Sequence, residues 1–286
     1  MKVPARLQPL VDDGLINDVI SRLMSGKEAD IYIVRCGDDI RCAKVYKDAA
    51  KRSFKKAAQY QEGRAVRSGR RARAMEKRSN YGRKQQEEIW QNAEVSALAR
   101  LHEAGVRVPE TFGCVDGVLL MELVADELGD AAPRLDDVVL TEDQAIEDHA
   151  LMMHYIKLML CAGIVHGDLS EFNVLLDEYG PVIIDLPQAV DAAANNNAQA
   201  MFTRDVNKMT QYYGVFAPEL LASHYAEEMW ALFAEGELNP DTELTGQFEF
   251  DTNAADVDSV LEEIKAVIME EQEEQERIQR LTGDDD

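Results

Sequence analysis

The residues most able to do chemistry lie in His166-Gly-Asp168-Leu-Ser-Glu-Phe-Asn173, followed twelve residues later by Asp185. An Asp two residues after a His, an Asn five further on and a second Asp at the end of an apolar run form the set that phosphoryl transfer needs. One carboxylate faces an acceptor hydroxyl, while an amide oxygen and another carboxylate hold magnesium on the phosphates. Magnesium is a hard ion that takes a few oxygen ligands beside nucleotide phosphates, so Asn and Asp suit it where Cys or His would not. Taken alone, this short motif recurs by chance in unrelated chains. Its surroundings make it a constellation. Ile164-Val165 and Val174-Leu175-Leu176 read as buried edges of an exposed loop, Asp177-Glu178-Tyr179-Gly180 reads as a hairpin turn, and Val182-Ile183-Ile184 is a strand that ends on Asp185.

Such a centre needs a cation and something to orient it. Ala43-Lys44-Val45-Tyr46 places a Lys inside an apolar strand pattern, and a Lys is seldom buried without a partner. The segment 85–101 reads as a helix with Trp90, Ala97, Leu98 and Leu101 on its apolar stripe. Glu94 falls on that stripe, and a buried acid calls for a cation, so Lys44 and Glu94 are expected to pair. Glu87 and Glu88 are weaker candidates, since acids are favoured at a helix start anyway. Ser25-Gly26-Lys27-Glu28-Ala29-Asp30 is a tight polar turn between apolar segments. It could set backbone N–H groups and a hydroxyl against phosphates. It is neither GxGxxG nor a Walker loop, and by itself it is a hairpin turn.

With these residues together, the chain resembles the RIO family of atypical protein kinases. The resemblance rests on the Ser25–Tyr32 turn and strand, on Ala43-Lys44-Val45-Tyr46-Lys47, on Asp168-Leu-Ser-Glu-Phe-Asn173 and on Ile183-Ile184-Asp185-Leu-Pro-Gln188-Ala-Val190, and it runs from about residue 15 to about residue 232. The DLSEFN form is closer to the first-described branch, or to a prokaryotic-type branch. Residues 1–18 are too few for the winged helix of the second branch. The resemblance implies that Asp168 is the catalytic Asp and that Asn173 and Asp185 bind Mg2+. Lys44, oriented by Glu94, would hold the phosphates of ATP, with Ser25 and Gly26 above them. Met121-Glu122-Leu123-Val124 would be the hinge, where the Glu122 C=O and the Val124 N–H meet adenine. Asp185 is followed by Leu-Pro, and no standard activation segment is evident; Ala217-Pro218-Glu219 is taken as a coincidental triplet at a helix start. The family is partly ATPase-like, and a carboxylate can accept a phosphoryl group, so Asp185 is also a candidate acceptor.

The remaining sequence bounds the molecule. At 286 residues the chain suits one two-lobed domain or two small ones. Four Cys without a CxxC point to reduced thiols and a cytoplasmic location, with no zinc site, and no apolar run is long enough to span a membrane. Residues 44–84 carry fifteen Lys or Arg against three acids. This segment is expected to be a flexible insertion that meets a polyanion, RNA or a ribosomal particle first, or that merely screens the chain's acidity or folds onto its acidic tail. Residues 249–286 hold fourteen acids against three bases, with an amphipathic helix expected over about 254–281.

The expected fold class is α+β, a two-lobed protein-kinase-like fold. Residues 1–18 would be an N-terminal extension. An N-lobe over 19–124 would have strands at about 19–46 and 111–123, one helix at about 85–104, and the insertion at 48–84. A helical C-lobe over 125–235 would begin with a connection at 126–137. A capping box at Thr141–Gln144 would open a long helix to about Cys161, with Ile146, Ala150, Met153, Ile156 and Leu160 inward. Helices at about 196–213 and 217–234 would follow, then a linker at 236–253 and the acidic tail. Three functions fit: a RIO-type kinase or ATPase on an unidentified protein substrate, for which the resemblance implies a role in ribosome assembly; a small-molecule kinase of aminoglycoside or choline type, with a similar HGDxxxxN pattern; and an RNA- or ribosome-binding assembly factor with an ATP-driven switch.

Overall fold

The computed structural model describes residues 2–26, 28–47 and 93–249. The basic insertion from residue 48, Trp90 and the start of the helix expected at 85–104, and the acidic tail helix fall outside these residues.

The smaller lobe is a five-stranded antiparallel sheet in the order β1-β2-β3-β5-β4. Its strands are β1 (Asp18–Ser25), β2 (Ala29–Cys36), β3 (Asp39–Tyr46), β4 (Thr111–Val115) and β5 (Val118–Glu122). The central strand β3 is buried from Cys42 to Tyr46 because both of its faces are covered. Ala43 and Val45 pack on one side with Leu7, Leu10 and Ile16, which come from the N-cap, the body and the exit of a short helix α1 (Gln8–Asp12). Residues alternate in a strand, so Lys44 and Tyr46 face the other side, towards helix α2, residues 93–103. The expected N-terminal extension is therefore part of the small lobe's core: Leu7, Leu10 and Ile16 are almost wholly shielded from solvent.

The larger lobe is mostly helical, as expected. Its longest element is α3 (Glu142–Cys161), opened by a complete capping box in which the Thr141 hydroxyl accepts from Gln144 N–H and the Gln144 side chain accepts from Thr141 N–H. Its buried face is rotated from the expected stripe. Ala145, His149, Met152, Met153, Ile156 and Leu160 are inward, whereas Ile146 and Ala150 are exposed. His149 takes the inward position because the Thr210 hydroxyl lies 3.1 Å from its Nε2 and the Tyr213 and Tyr225 rings flank it. Strands β6 (Ile164–Val165), β7 (Val174–Asp177), β8 (Gly180–Ile183) and β9 (Val190–Asp191) follow, then helices α4 (Ala198–Tyr213) and α5 (Tyr225–Glu235).

Two expectations about the C-terminal part are corrected. The helix anticipated over 217–234 is two pieces, a 3-10 turn at Pro218–Ala222 and then α5. Ser223 is extended between them, and its hydroxyl donates to Leu220 C=O. The triplet Ala217-Pro218-Glu219 simply opens that turn. The anticipated linker from 236 is also not a linker up to residue 247. Gly236 ends α5 in the left-handed region, which glycine tolerates best, and the chain folds back on the lobe. Lys157 Nζ donates to Thr242 C=O at 2.7 Å, the Glu228 carboxylate accepts from the N–H groups of Thr245 and Gly246, and Leu238 and Leu244 pack on the core. The compact unit accordingly runs to Gln247. No helix among the described residues is long and apolar enough to cross a membrane.

Candidate active site

The two metal-ligand candidates are set side by side by a hairpin. In β7–β8, Val174 pairs with Ile183 and Asp177 with Gly180. The Ile184 N–H donates to Asn173 C=O at 3.0 Å, which extends the pairing to the residue before Asp185. Asp185 then leaves the strand with φ +66°, a region in which a non-glycine residue is strained. Its carboxylate meets the Lys44 ammonium at 2.7 Å.

Lys44 and Glu94 pair as the sequence pattern required, with Nζ 2.6 Å from Glu94 Oε1. Glu94 is only 2 % exposed. The Tyr46 hydroxyl donates to its second oxygen. Burial alone would strip the proton from Lys44, but Glu94 and Asp185 overrule it and hold the ammonium charged. In turn, the Lys44 ammonium keeps the Asp185 carboxyl below the usual carboxylate range against the opposing effect of burial. One cation thus ties β3 and α2 of the small lobe to the end of the hairpin in the large one.

The loop that carries Asp168 is held by a set of hydrogen bonds. His166 Nδ1 accepts from Asp168 N–H at 3.3 Å and Nε2 lies 3.1 Å from Ile184 C=O, a pattern that assigns a neutral ring's proton to Nε2. Asn173 Nδ2 donates to Asp168 C=O at 2.8 Å, which leaves its amide oxygen for a ligand. The Asp168 carboxylate is half exposed, with Lys208 Nζ at 3.9 Å. Gly167 N–H donates to Asp205 Oδ2 at 2.7 Å, and Arg204 bonds both Gly167 C=O and the Asp205 carboxylate. Asp205 is buried, and burial pushes its carboxyl up despite those partners. Asp205 was missed in the sequence, although Met201, Phe202, Val206 and Met209 form a stripe on α4 with an acid inside it, the same signal that marked Glu94.

A cleft of about 450 Å³ lies between the lobes, lined among others by Gly26, Ala29, Lys44, Met121, Asn173 and Asp185. Glu122 and Val124 line it as well. Ala132 N–H takes the Val124 C=O at 3.0 Å, whereas the Val124 N–H has no backbone partner among the described residues. Three of the expected set, Ser25, Glu94 and Asp168, are not among the residues that line the cleft: Glu94 reaches it only through Lys44, the Asp168 carboxylate lies near Lys208, and the Ser25 hydroxyl donates to Asp30 at 2.5 Å. Lys47, also missed, secures this turn through Gly26 C=O at 2.6 Å and Asp30 at 3.2 Å.

The donor set fits magnesium. Asn173 and Asp185 both line the cleft, and Asn173 Oδ1 and the Asp185 oxygen not engaged by Lys44 are hard oxygen atoms that could ligate the metal. No cluster of three or more His, Cys, Asp or Glu able to hold a metal by itself occurs among the described residues. A site with two protein oxygens that depends on nucleotide phosphates and water for the rest is the usual magnesium arrangement.

The model of the RIO domain family matches residues 30–225 of this chain. The chain is 32% identical over 212 residues to the RIO-type serine/threonine-protein kinase Rio1 of Haloferax volcanii, covering 73% of this chain and 68% of that protein. It is 30% identical over 223 residues to the serine/threonine-protein kinase RIO1 of Chaetomium thermophilum, covering 72% of this chain but 42% of that protein. The chain thus spans less than half the length of this second relative. Among solved structures, the Rio2 kinase–ADP/Mg2+–phosphoaspartate complex from Chaetomium thermophilum superposes with a TM-score of 0.53 at 22% identity, over 81% of this chain and 72% of that one. At that identity the likeness establishes the two-lobed kinase-like fold alone.

Proposed function

Because the chain belongs to the RIO domain family, we propose that it is a magnesium- and ATP-dependent phosphotransferase, acting as an atypical Ser/Thr protein kinase, an ATPase or both. The observation that carries this reading is the Lys44 ammonium bridging Glu94 and Asp185, which lie on different lobes. It sets a fixed cation beside the oxygen ligands of a magnesium–phosphate site. Adenine would rest against the hinge, with the Val124 N–H as its donor and the Glu122 C=O as its acceptor. Lys44 and the turn at Gly26 would hold the phosphates. Bound magnesium would neutralise the charge that develops between the β- and γ-phosphates.

Asp168 would orient the acceptor hydroxyl and take its proton as the new P–O bond forms and the bond to the bridging oxygen of ADP breaks. A second route uses Asp185 as acceptor. Its carboxylate oxygen would attack the γ-phosphorus, ADP would leave, and water would cleave the acyl phosphate to return the carboxylate and release phosphate. The phosphoaspartate named for the Rio2 complex is in keeping with this route. The family membership favours it over a small-molecule kinase. The basic stretch 44–84 supports an RNA or ribosomal-particle partner through phosphate neutralisation. Four free cysteines suit a reducing, cytoplasmic compartment.

The test traces the label from γ-labelled ATP with the purified full chain and magnesium. Transfer of label to a protein hydroxyl, acid-stable and lost in Asp168→Asn, is the expected result of the first route. Hydroxylamine-labile label, or phosphate release, lost in Asp185→Asn is that of the second. Turnover at the wild-type rate in both variants refutes the assignment.

A further inference from the structure

Behind the hinge, outside the residues just assigned, Arg107 makes an unusual set of contacts. It lies in the loop between α2 and β4. Its guanidinium forks onto the Glu122 carboxylate, with Nη1 3.1 Å from Oε2 and Nη2 3.0 Å from Oε1. Nη2 also reaches Asp177 Oδ2 at 2.8 Å. Glu122 ends β5, the strand that leads into the hinge, and its Oε2 accepts from Glu110 N–H as well. Asp177 ends β7 in the other lobe, four residues after Asn173, and its side chain is 4% exposed. The Arg107 backbone joins the same grip: its C=O accepts from Ile183 N–H at 2.9 Å, in the last residue of β8 and two before Asp185. Arg107 therefore touches both strands of the hairpin that presents the two metal ligands, and the strand end that faces adenine.

From this geometry we infer that Arg107 is a positioning residue that fixes the hinge strand to the metal-binding hairpin, so that the adenine and magnesium ends of one nucleotide are held at a set separation. The inference rests on the phosphotransferase reading above. A forked guanidinium is suited to the role because two parallel bonds set an angle as well as a distance, which a lysine ammonium at the same position would not. The pair is also well ionised. Burial would raise the Glu122 carboxyl, but the Arg107 fork and the Glu110 N–H outweigh it and hold it below the usual range. A nucleotide bound without metal engages the hinge and Lys44 only. A nucleotide bound with metal must satisfy the hinge and the hairpin at once, and it alone needs Arg107 to hold them in register.

Calorimetry of ADP binding to the full chain, with and without magnesium, reads this directly. In Arg107→Lys the affinity gained from magnesium should fall by about tenfold, a typical coupling between sites, while metal-free ADP binding shifts by less than about threefold. A role confined to stability would move both affinities alike, or neither. Asp177→Asn should reproduce the effect, and the double variant should lose no more than the worse single one, because the two act through one contact. An unchanged magnesium gain in Arg107→Lys, or additive losses in the double variant, overturns the inference. Absence of any magnesium-dependent ADP binding in the wild type overturns the phosphotransferase reading instead. In that case urea unfolding of the ligand-free variants still decides whether the strut exists: each single substitution should lower the folding constant by about tenfold, and additive losses would refute it.

Discussion

Replacing Lys44 with Met should separate stability from function in a way that only a buried ion cluster can. Glu94 is 2 % exposed and its two oxygens meet only Lys44 and Tyr46 among the contacts described. Removing the cation leaves a buried carboxylate without compensation, which costs about 3–5 kcal/mol. That is a large share of the roughly 5–15 kcal/mol by which a domain of this kind is stable. Asp185 loses the same partner, but its side chain is 46% exposed, so water compensates it far better than it can Glu94. Adding Glu94→Leu removes the stranded charge and should recover most of the loss. The Tyr46 hydroxyl then lacks the carboxylate to which it donates, a deficit of about 1–3 kcal/mol. Adding Tyr46→Phe should remove that deficit and return the protein to near wild-type stability. Urea denaturation followed by circular dichroism gives the three midpoints, and the labelled-ATP assay should read zero for all three variants. A Lys44→Met midpoint equal to that of the wild type would refute the reasoning. So would a triple variant no more stable than the single one.

Asp205→Ala should lower phosphotransfer by at least about tenfold while ADP affinity stays near the wild-type value, since the loop that carries Asp168 loses its anchor at Gly167 N–H; unchanged turnover would show the anchor to be dispensable. Burial depresses the His149 pKa from 6.5 to about 4. The unfolded chain therefore binds the proton first, and the stabilisation is complete above about pH 6.5 and lost as the pH falls through about 4, in all about 3 kcal/mol. Urea titrations at pH 7 and pH 4.5 should show that loss, and His149→Asn should show a shallower one. Gly214→Ala would place a Cβ 2.4 Å from Leu221 Cδ2 and 2.9 Å from Thr210 C=O. The turn after α4 should be destabilised by about 1–3 kcal/mol, seen as a lower melting temperature, with activity at low temperature retained.

Much of the site could be read from the chain because its signals are local. The HGDLSEFN loop, the hairpin turn at Asp177–Gly180 and the strand ending on Asp185 are consecutive, and their turn residues and apolar edges define them within about twenty residues. Lys44 in a strand and Glu94 on a helix stripe were each legible because a charge on an apolar face breaks a short periodic pattern. The Thr141–Gln144 capping box was legible for the same reason, since a helix start is written in four residues. The same rule applied to α4 would have marked Asp205.

What the sequence determined, then, is which elements form and which side chains each presents, because those follow from periodicity and turn chemistry along a few residues. Which face of α3 is inward depended on Thr210, Tyr213 and Tyr225 arriving to satisfy His149. The strap at 237–247 depended on Lys157 and Glu228 supplying partners for its backbone. The contact of Lys44 with Asp185 across 141 positions, and that of Arg107 with Asp177 across 70, exist only once the lobes are packed. Ion pairs and buried polar bonds of that range leave no periodic trace, since each side chain carries its charge whether or not its partner is near. Only the tertiary structure, by removing water from between them, decides which charges meet.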